Sequence, residues 1–164
     1  MFISNSIEKN NKLILFVFSF YLIALAFFSL RSEVLYWSSL SLYEFIIKST
    51  NLIPFKTISA YIQSFFTQSV NLDIALRNLI LPIIAFVPFG LLGYRLTGGK
   101  GKFLQTLLGC AAFCFILEVL QTLLRRGSFD VDDIILSVIG AFCGMLVFFV
   151  ASKIKLWATK AAGK

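Results

Sequence analysis

Long apolar runs recur along the chain, separated by short polar or basic segments. The first run extends from Leu13 to Leu30 between Lys12 and Arg31, and it is about as long as a membrane-crossing helix. Three later runs are of similar length. We therefore predict an all-α, polytopic membrane helix bundle with about four transmembrane helices, spanning residues 13–30, 78–96, 103–124 and 134–151.

The chain reads as a single membrane domain over residues 1–164. Glycine and proline are thinly scattered, without a linker, a low-complexity stretch or an internal repeat. Ala24-Leu25-Ala26 resembles a signal-peptidase site. Because the apolar run continues beyond it and further spans follow, we expect an uncleaved anchor.

The first loop, residues 32–77, is too apolar to be a free soluble loop. Tyr36 and Trp37 are typical of the headgroup level of a membrane, while Ser38, Ser39, Ser41 and Glu44 interrupt the run too often for a full span. A second amphipathic piece is predicted over residues 58–66, after the break at Pro54. We therefore predict interfacial amphipathic segments in this loop.

Lysine and arginine are divided unequally between the two sides that four spans create. Nine lie on the side of both termini: Lys9, Lys12, Arg95, Lys100, Lys102, Lys153, Lys155, Lys160 and Lys164. Six lie on the other side: Arg31, Lys48, Lys56, Arg77, Arg125 and Arg126. Because cytoplasmic segments carry the basic excess, we expect a multi-pass protein of the cytoplasmic membrane with both termini cytoplasmic. The first loop and residues 125–133 then face outward.

Composition supports this class and excludes several others. The 164 residues are 59% hydrophobic and 14% charged, which is far from the average of soluble domains. The net charge of +7 comes from clusters at the ends of apolar runs, so no nucleic-acid partner is expected. The chain has no histidine, and its three cysteines lie inside apolar runs. We expect no metal, no cofactor and no Ser-His-Asp catalytic site.

One polar stripe marks the third span. Cys110, Cys114, Glu118, Gln121 and Arg125 are separated by steps of four, four, three and four, so they share a helical face. A lipid-facing glutamate is costly, which predicts that this face turns inward. An ionisable residue within a span indicates a functional site, and for Glu118 the candidate cationic partners are Arg125, Arg126 and Arg77.

The fourth span carries a matching stripe of Asp133, Ser137, Gly140 and Gly144. Paired small residues let helices approach closely, and such an approach would place Ser137 and Asp133 beside the polar half of the third span. We assign packing roles to Ser137, Gly140, Gly144, Pro88 and Gly90.

Residues 125–133 join the two stripes as a hairpin tip with two cations and three carboxylates. Asp132 or Asp133 is a candidate cap for the fourth helix. Taken alone, Asp130 and Asp132 are typical of solvated loop residues. It also remains open whether the charges of both stripes only hold the bundle together.

Several motifs occur in a characteristic order: Asn51-Leu52-Ile53-Pro54-Phe55, Arg77-Asn78, Pro88-Phe89-Gly90, Glu118-x-x-Gln121 and Phe129-Asp130-Val131-Asp132-Asp133. In this order they resemble the VanZ-like family, over about residues 51–144. Ser137 stands where family members commonly carry Asn, and Gly127 where they often carry Arg, with Arg126 one residue earlier. The resemblance implies an integral membrane protein, and the family's founding role is lowered susceptibility to the lipoglycopeptide antibiotic teicoplanin.

Our first hypothesis is a non-enzymatic envelope protein with an outward-facing polar pocket. The candidate ligand-binding residues are Glu118, Gln121, Arg126, Asp130, Asp133, Asn51, Arg77 and Asn78. Arginine suits phosphate or carboxylate groups, so the expected ligands are membrane lipids, a lipid-linked peptidoglycan precursor or a lipoglycopeptide. The alternatives are an enzyme or transporter acting on such lipids, with Glu118 exchanging protons, and an assembly partner for another envelope protein.

Overall fold

A computed structural model describes residues 2–31, 40–67, 70–98 and 102–162. Its long helices are α1 (Phe2–Leu30), α4 (Leu72–Leu96), α5 (Phe103–Leu123) and α6 (Val131–Ala162). Between α1 and α4 lie α2 (Leu42–Ser49), the two-residue strand β1 (Thr50–Asn51) and α3 (Lys56–Thr67); β2 (Phe129–Asp130) precedes α6. The predicted all-α class is confirmed, with two short strands that the sequence did not reveal.

Within these ranges, four stretches are long and apolar enough to cross a membrane: Asn11–Leu30, Leu72–Leu96, Phe103–Leu123 and Val131–Lys160. The second begins at Leu72 rather than at the predicted residue 78. The side chain of Asn71 accepts a hydrogen bond from the Asp73 N–H and so caps α4, whose first turns are interrupted by the polar residues Asp73, Arg77 and Asn78.

The long helices alternate in direction. Tyr21 of α1 donates a hydrogen bond to the Ala85 carbonyl of α4 (2.6 Å), whereas Ser29, further along α1, contacts Gln121 near the end of α5. Cys110 contacts the Ser137 carbonyl of α6, whereas Cys114, further along α5, contacts the Asp133 carbonyl nearer the start of α6. These contacts place the end of α1, the start of α4, the end of α5 and the start of α6 at one face of the bundle, which we call the loop face.

Glycines bring α4 and α6 into backbone contact. A Cβ atom added to Gly140 would lie 2.2 Å from the Ile83 carbonyl oxygen, and one added to Gly144 would lie 2.0 Å from that of Val87. From the α4 side, a Cβ atom on Gly90 would lie 1.8 Å from the Ala141 carbonyl oxygen. The two glycines of the stripe on the fourth span therefore bring α6 close to α4, and not to α5 as we had expected. Ser137, at the other end of the same stripe, does meet α5, at Cys114.

The core lies between α4, α5 and α6. It contains Phe86, Phe89, Cys110, Cys114, Leu117 and Ala141, and half-buried side chains of α1 pack against it. Phe18 meets Phe89 edge to face, with ring centroids 5.3 Å apart. The cysteines behave as small apolar residues and are unpaired thiols.

Two short helices occupy the first loop, as the sequence predicted. α3 includes the predicted amphipathic piece at residues 58–66, and α2 covers part of the first segment. Both expose large apolar side chains, including Tyr43 on α2 and Phe66 on α3, which suits the interface of a membrane. The predicted headgroup-level Tyr36 and Trp37 lie outside the described residues.

Candidate ligand-binding site

A parallel pair of two-residue strands joins the first loop to the α5–α6 turn. Thr50 pairs with Phe129, and Asn51 pairs with Asp130. The predicted hairpin tip is therefore attached to the first loop rather than projecting alone, and this pairing organises the polar residues of the loop face.

Asp132 caps α3 from a distance of more than seventy residues along the chain. Its carboxylate accepts backbone N–H bonds from Phe55, from Thr57 at 2.7 Å and from Ile58 at 3.0 Å. The side chain is fully buried. The prediction of a solvated loop aspartate is wrong here, because the free N–H groups of α3 supply the polar partners that water would otherwise provide. Although Asp132 lies in the first turn of α6, its carboxylate caps α3 and not α6.

Asp130 links three segments and is also buried, with 9% of its surface exposed. One carboxylate oxygen accepts from the Asn51 side-chain amide at 3.0 Å and from the Asp132 N–H at 2.9 Å. The other accepts from the Thr57 hydroxyl, which in turn accepts from Asn51 at 3.0 Å. Sequence reasoning missed Thr57, because no local pattern connects it with a carboxylate so far along the chain.

Glu118 lies beneath this network and is 5% exposed. Its carboxylate accepts the Asp130 N–H at 3.1 Å and interacts electrostatically with the Asp133 carboxylate. Cys110 and Cys114 of the same stripe are buried against Ser137. The predicted inward orientation of this stripe is confirmed for these three residues. We call the three buried carboxylates Glu118, Asp130 and Asp132, together with the half-buried Asn51 and Thr57, the buried network.

The predicted cations lie on two elements, Arg125 and Arg126 in the turn after α5 and Arg77 on α4. The Arg125 guanidinium lies over the Phe45 ring, 5.8 Å from its centroid, and Arg126 is half-buried in the same turn. Arg77 is exposed on the first turns of α4. Their proposed pairing with Glu118 stays a prediction.

Two predicted site residues make contacts elsewhere. The Gln121 amide donates to the carbonyl and the hydroxyl of Ser29, at 2.8 and 2.7 Å, and so joins α5 to α1. Asn78 donates to the Tyr61 hydroxyl at 2.6 Å and joins α4 to α3. The structure thus brings Asn51, Glu118 and Asp130 together, with Asp133 beside them, while Gln121 and Asn78 hold neighbouring helices.

Two residues near the network have left-handed backbone conformations. Arg125 (φ 54°) follows α5, where the Arg126 N–H donates to the Gln121 carbonyl and the Arg125 N–H to that of Thr122, which is a Schellman motif. Phe55 (φ 64°) occupies a turn closed by a bond from the Lys56 N–H to the Ile53 carbonyl. Glycine is preferred at both types of position, so the surrounding contacts must hold these conformations.

The turn at Phe55 presents an exposed apolar loop. Leu52, Ile53 and Phe55 are each about 60% exposed or more, although the network fixes the backbone on both sides. Exposed apolar residues on a firmly held loop are typical of a surface that contacts an apolar partner. We call residues 52–55 the apolar loop.

Two adjoining depressions flank the apolar loop. The larger, about 460 Å³, lies between α2 and the start of α3; the smaller, about 250 Å³, lies between β1 and α5. They share Ile46, Thr50 and Leu52 as lining residues. In the described residues no group of acidic or cysteine side chains is arranged to hold a metal ion.

Comparisons with known proteins connect the chain with one family. The VanZ/LLP1 family matches residues 16–152, which is more than half of the chain. Protein VanZ from Enterococcus faecium is 26% identical over 122 residues, covering 73% of this chain. The chain spans 64% of the length of that relative. No solved structure matches it. This membrane protein therefore belongs to the VanZ/LLP1 family.

Proposed function

We propose that this VanZ-like membrane protein recognises a lipid-linked or lipophilic envelope ligand at its loop face. The observation that carries the proposal is the buried network, which holds an exposed apolar loop beside two open depressions. A fully hydrogen-bonded polar network in a membrane protein is retained at a cost, and it specifies one geometry. Here the network fixes the backbone that carries the exposed residues of the apolar loop.

The buried carboxylates act as positioning groups in this proposal. Glu118, Asp130 and Asp132 are each 9% exposed or less, and their hydrogen bonds go to the protein itself. Contact with the ligand falls to the apolar loop and to the arginines of this face, Arg77 and Arg126. A guanidinium suits the phosphate or carboxylate of a headgroup through paired hydrogen bonds.

The loop face is placed on the outer side of the cytoplasmic membrane in this proposal. Support comes from the larger number of lysines and arginines on the opposite side, nine against six over the whole chain. An outward site meets lipid-linked peptidoglycan precursors and lipoglycopeptides where both are found. Lowered susceptibility to teicoplanin is the cellular effect that we propose to follow from such binding.

The test uses matched carboxylate variants. Wild type, Asp130→Ala and Asp73→Ala are expressed at equal levels in a teicoplanin-sensitive bacterium, and the purified proteins are assayed for binding to teicoplanin and to a fluorescent lipid-linked peptidoglycan precursor. Asp73 is exposed at the start of α4 and serves as the control. We expect Asp130→Ala to lose binding and reduced susceptibility, and Asp73→Ala to retain both.

A result in which wild type binds neither probe, or in which Asp130→Ala binds as well as wild type, contradicts the proposal. Thr57→Val guards against an unfolded Asp130 variant, because it removes the two hydrogen bonds of one hydroxyl in the same network and leaves its charges in place. It should weaken binding to an intermediate degree.

A further inference from the structure

The two depressions beside the apolar loop differ in chemistry. The smaller one is lined by Phe115, Val119 and Leu123, which follow one another at steps of four along α5, together with Ile46, Thr50, Leu52, Thr122 and Phe129. Phe115 and Leu123 are about half exposed, so the depression continues the apolar side of a membrane-spanning helix. Its position makes it open to hydrocarbon from the surrounding leaflet.

The polar atoms of this depression are already engaged. The Thr50 hydroxyl donates to the Ile46 carbonyl at 2.6 Å, and the Thr122 hydroxyl donates to the Glu118 carbonyl at 2.9 Å. A polar ligand group placed here would lose its water and gain little in exchange. The depression therefore fits an acyl chain better than a sugar or a peptide.

The larger depression supplies a positive charge at the polar end. Lys56 is exposed and is the one charged side chain among the described lining residues of either depression. The N–H groups of Thr57 and Ile58 at the start of α3 are bound to Asp132, so an anion here would meet the Lys56 ammonium and not the helix N-terminus. A flexible ammonium at the interface suits a phosphate as a point charge.

We propose that the two depressions form one seat for an anionic phospholipid from the adjoining leaflet, with its acyl chain against Phe115, Val119 and Leu123 and its phosphate at Lys56. This inference goes beyond the proposed function, because it concerns a phospholipid of the adjoining leaflet and is argued from the lining of the two depressions. The larger depression, about 460 Å³, lies within the roughly 300–1,000 Å³ that ligand sites occupy, and the smaller one adds about 250 Å³ beside it. The lipid enters sideways from the membrane.

Photolabelling in vesicles tests the seat. The full chain is reconstituted into phosphatidylcholine vesicles that contain a trace of lipid with a photoactivatable acyl chain, carrying either a phosphatidylglycerol or a phosphatidylcholine headgroup. Mass spectrometry then locates the labelled residues. We expect the anionic probe to label the segment around Val119 several-fold more than the zwitterionic probe does.

Three variants separate the tail from the headgroup. Val119→Trp fills the smaller depression and should reduce labelling there several-fold for both probes. Ile116→Trp, on the same helix but outside the lining residues, should leave labelling unchanged. Lys56→Gln should label equally with the two probes, because it removes the charge and keeps most of the side-chain length.

Equal labelling of wild type by both probes, or equal effects of Val119→Trp and Ile116→Trp, overturns the seat. If the seat fails while Asp130→Ala still abolishes binding of the lipid-linked precursor, the proposed function stands without it. If labelling follows the expected pattern but Asp130→Ala binds the precursor normally, the proposed function fails and the phospholipid seat remains.

Discussion

The two short helices of the first loop are held in opposite ways. α2 is capped by its own sequence: the Ser41 hydroxyl accepts the Glu44 N–H at 3.2 Å, and the Glu44 carboxylate accepts the Ser41 N–H at 2.9 Å. These atoms are exposed. α3 is capped by a buried carboxylate from the start of α6, Asp132.

A local cap and a distant cap do different work. The Ser41–Glu44 box stabilises a helix without specifying where that helix lies. The Asp132 cap ties α3 and the apolar loop to the α5–α6 turn, so it fixes their position in the bundle. The proposed ligand contacts lie on the segment that is positioned from a distance, as expected for a site that needs a defined geometry.

Among the changes that test this difference between α2 and α3, Asp132→Ala is expected to have the largest effect on stability. The change leaves three backbone N–H groups, those of Phe55, Thr57 and Ile58, without their acceptor. Orphaned donors of this kind cost on the order of 1–3 kcal/mol each, so we expect a destabilisation of about 3 kcal/mol or more. The thermal unfolding midpoint of the purified protein in detergent measures it.

Asp73→Ala is the matched control for this loss, since it removes an exposed carboxylate from the first turn of α4. It should cost about 0.3–1 kcal/mol through the helix dipole. Asp132→Asn keeps one acceptor oxygen and should fall between the two. Equal midpoints for Asp132→Ala and Asp73→Ala would mean that the distant cap does not hold α3.

Thr57→Val tests the second connection between α3 and the turn. The substitution keeps the shape of the side chain but removes the hydroxyl that bonds Asp130 and Asn51. We expect a loss of about 1–2 kcal/mol, because the buried Asp130 carboxylate loses a donor. Unfolding midpoints should show this loss, whereas Ser59→Ala, two residues along α3 on an exposed local bond, should change the midpoint little.

Phe55→Gly is expected to raise stability, whereas the two preceding changes lower it. The left-handed conformation of Phe55 costs about 1–2 kcal/mol for a residue with a side chain. Glycine removes this strain but adds roughly 0.5–1 kcal/mol of conformational entropy to the unfolded chain. We expect a net gain of about 0.5 kcal/mol in stability together with weaker binding of the lipid-linked precursor. Weaker stability with unchanged binding would show that the exposed ring serves packing alone.

The helices of the bundle could be predicted because their signals lie close together in sequence. The run from Leu13 to Leu30 shows its length, and the steps between Cys110, Cys114 and Glu118 show their shared face. The start of α4 at Leu72 was missed because Asp73, Arg77 and Asn78 interrupt the apolar run in turns that are nonetheless helical.

The site could be predicted only in part, since its connections cross long stretches of chain. Asp132 and Thr57 are 75 residues apart, and no periodicity within either segment records their contact. Gln121 shares the stripe of Glu118, but its position near the end of α5 brings it to Ser29 of α1 instead. A helical stripe predicts which side chains point inward, not which neighbouring helix each one meets.

The smallest effect is expected at the local cap of α2. Two groups of Ser41, its backbone N–H first and its hydroxyl second, stabilise the charged Glu44 carboxylate and hold the pKa of Glu44 below its usual range. Ser41→Ala removes only the hydroxyl, so the pKa of Glu44 should rise part of the way back, which NMR titration of the carboxyl carbon measures. Since the folded pKa of Glu44 is the lower one, the stabilisation from this cap is present at neutral pH and is lost as the pH falls through that pKa.

The unfolding midpoint of Ser41→Ala should stay unchanged, because an exposed helix end opens locally without unfolding the bundle. A drop as large as that of Thr57→Val would mean that α2 is tied to the bundle through its cap as firmly as α3 is.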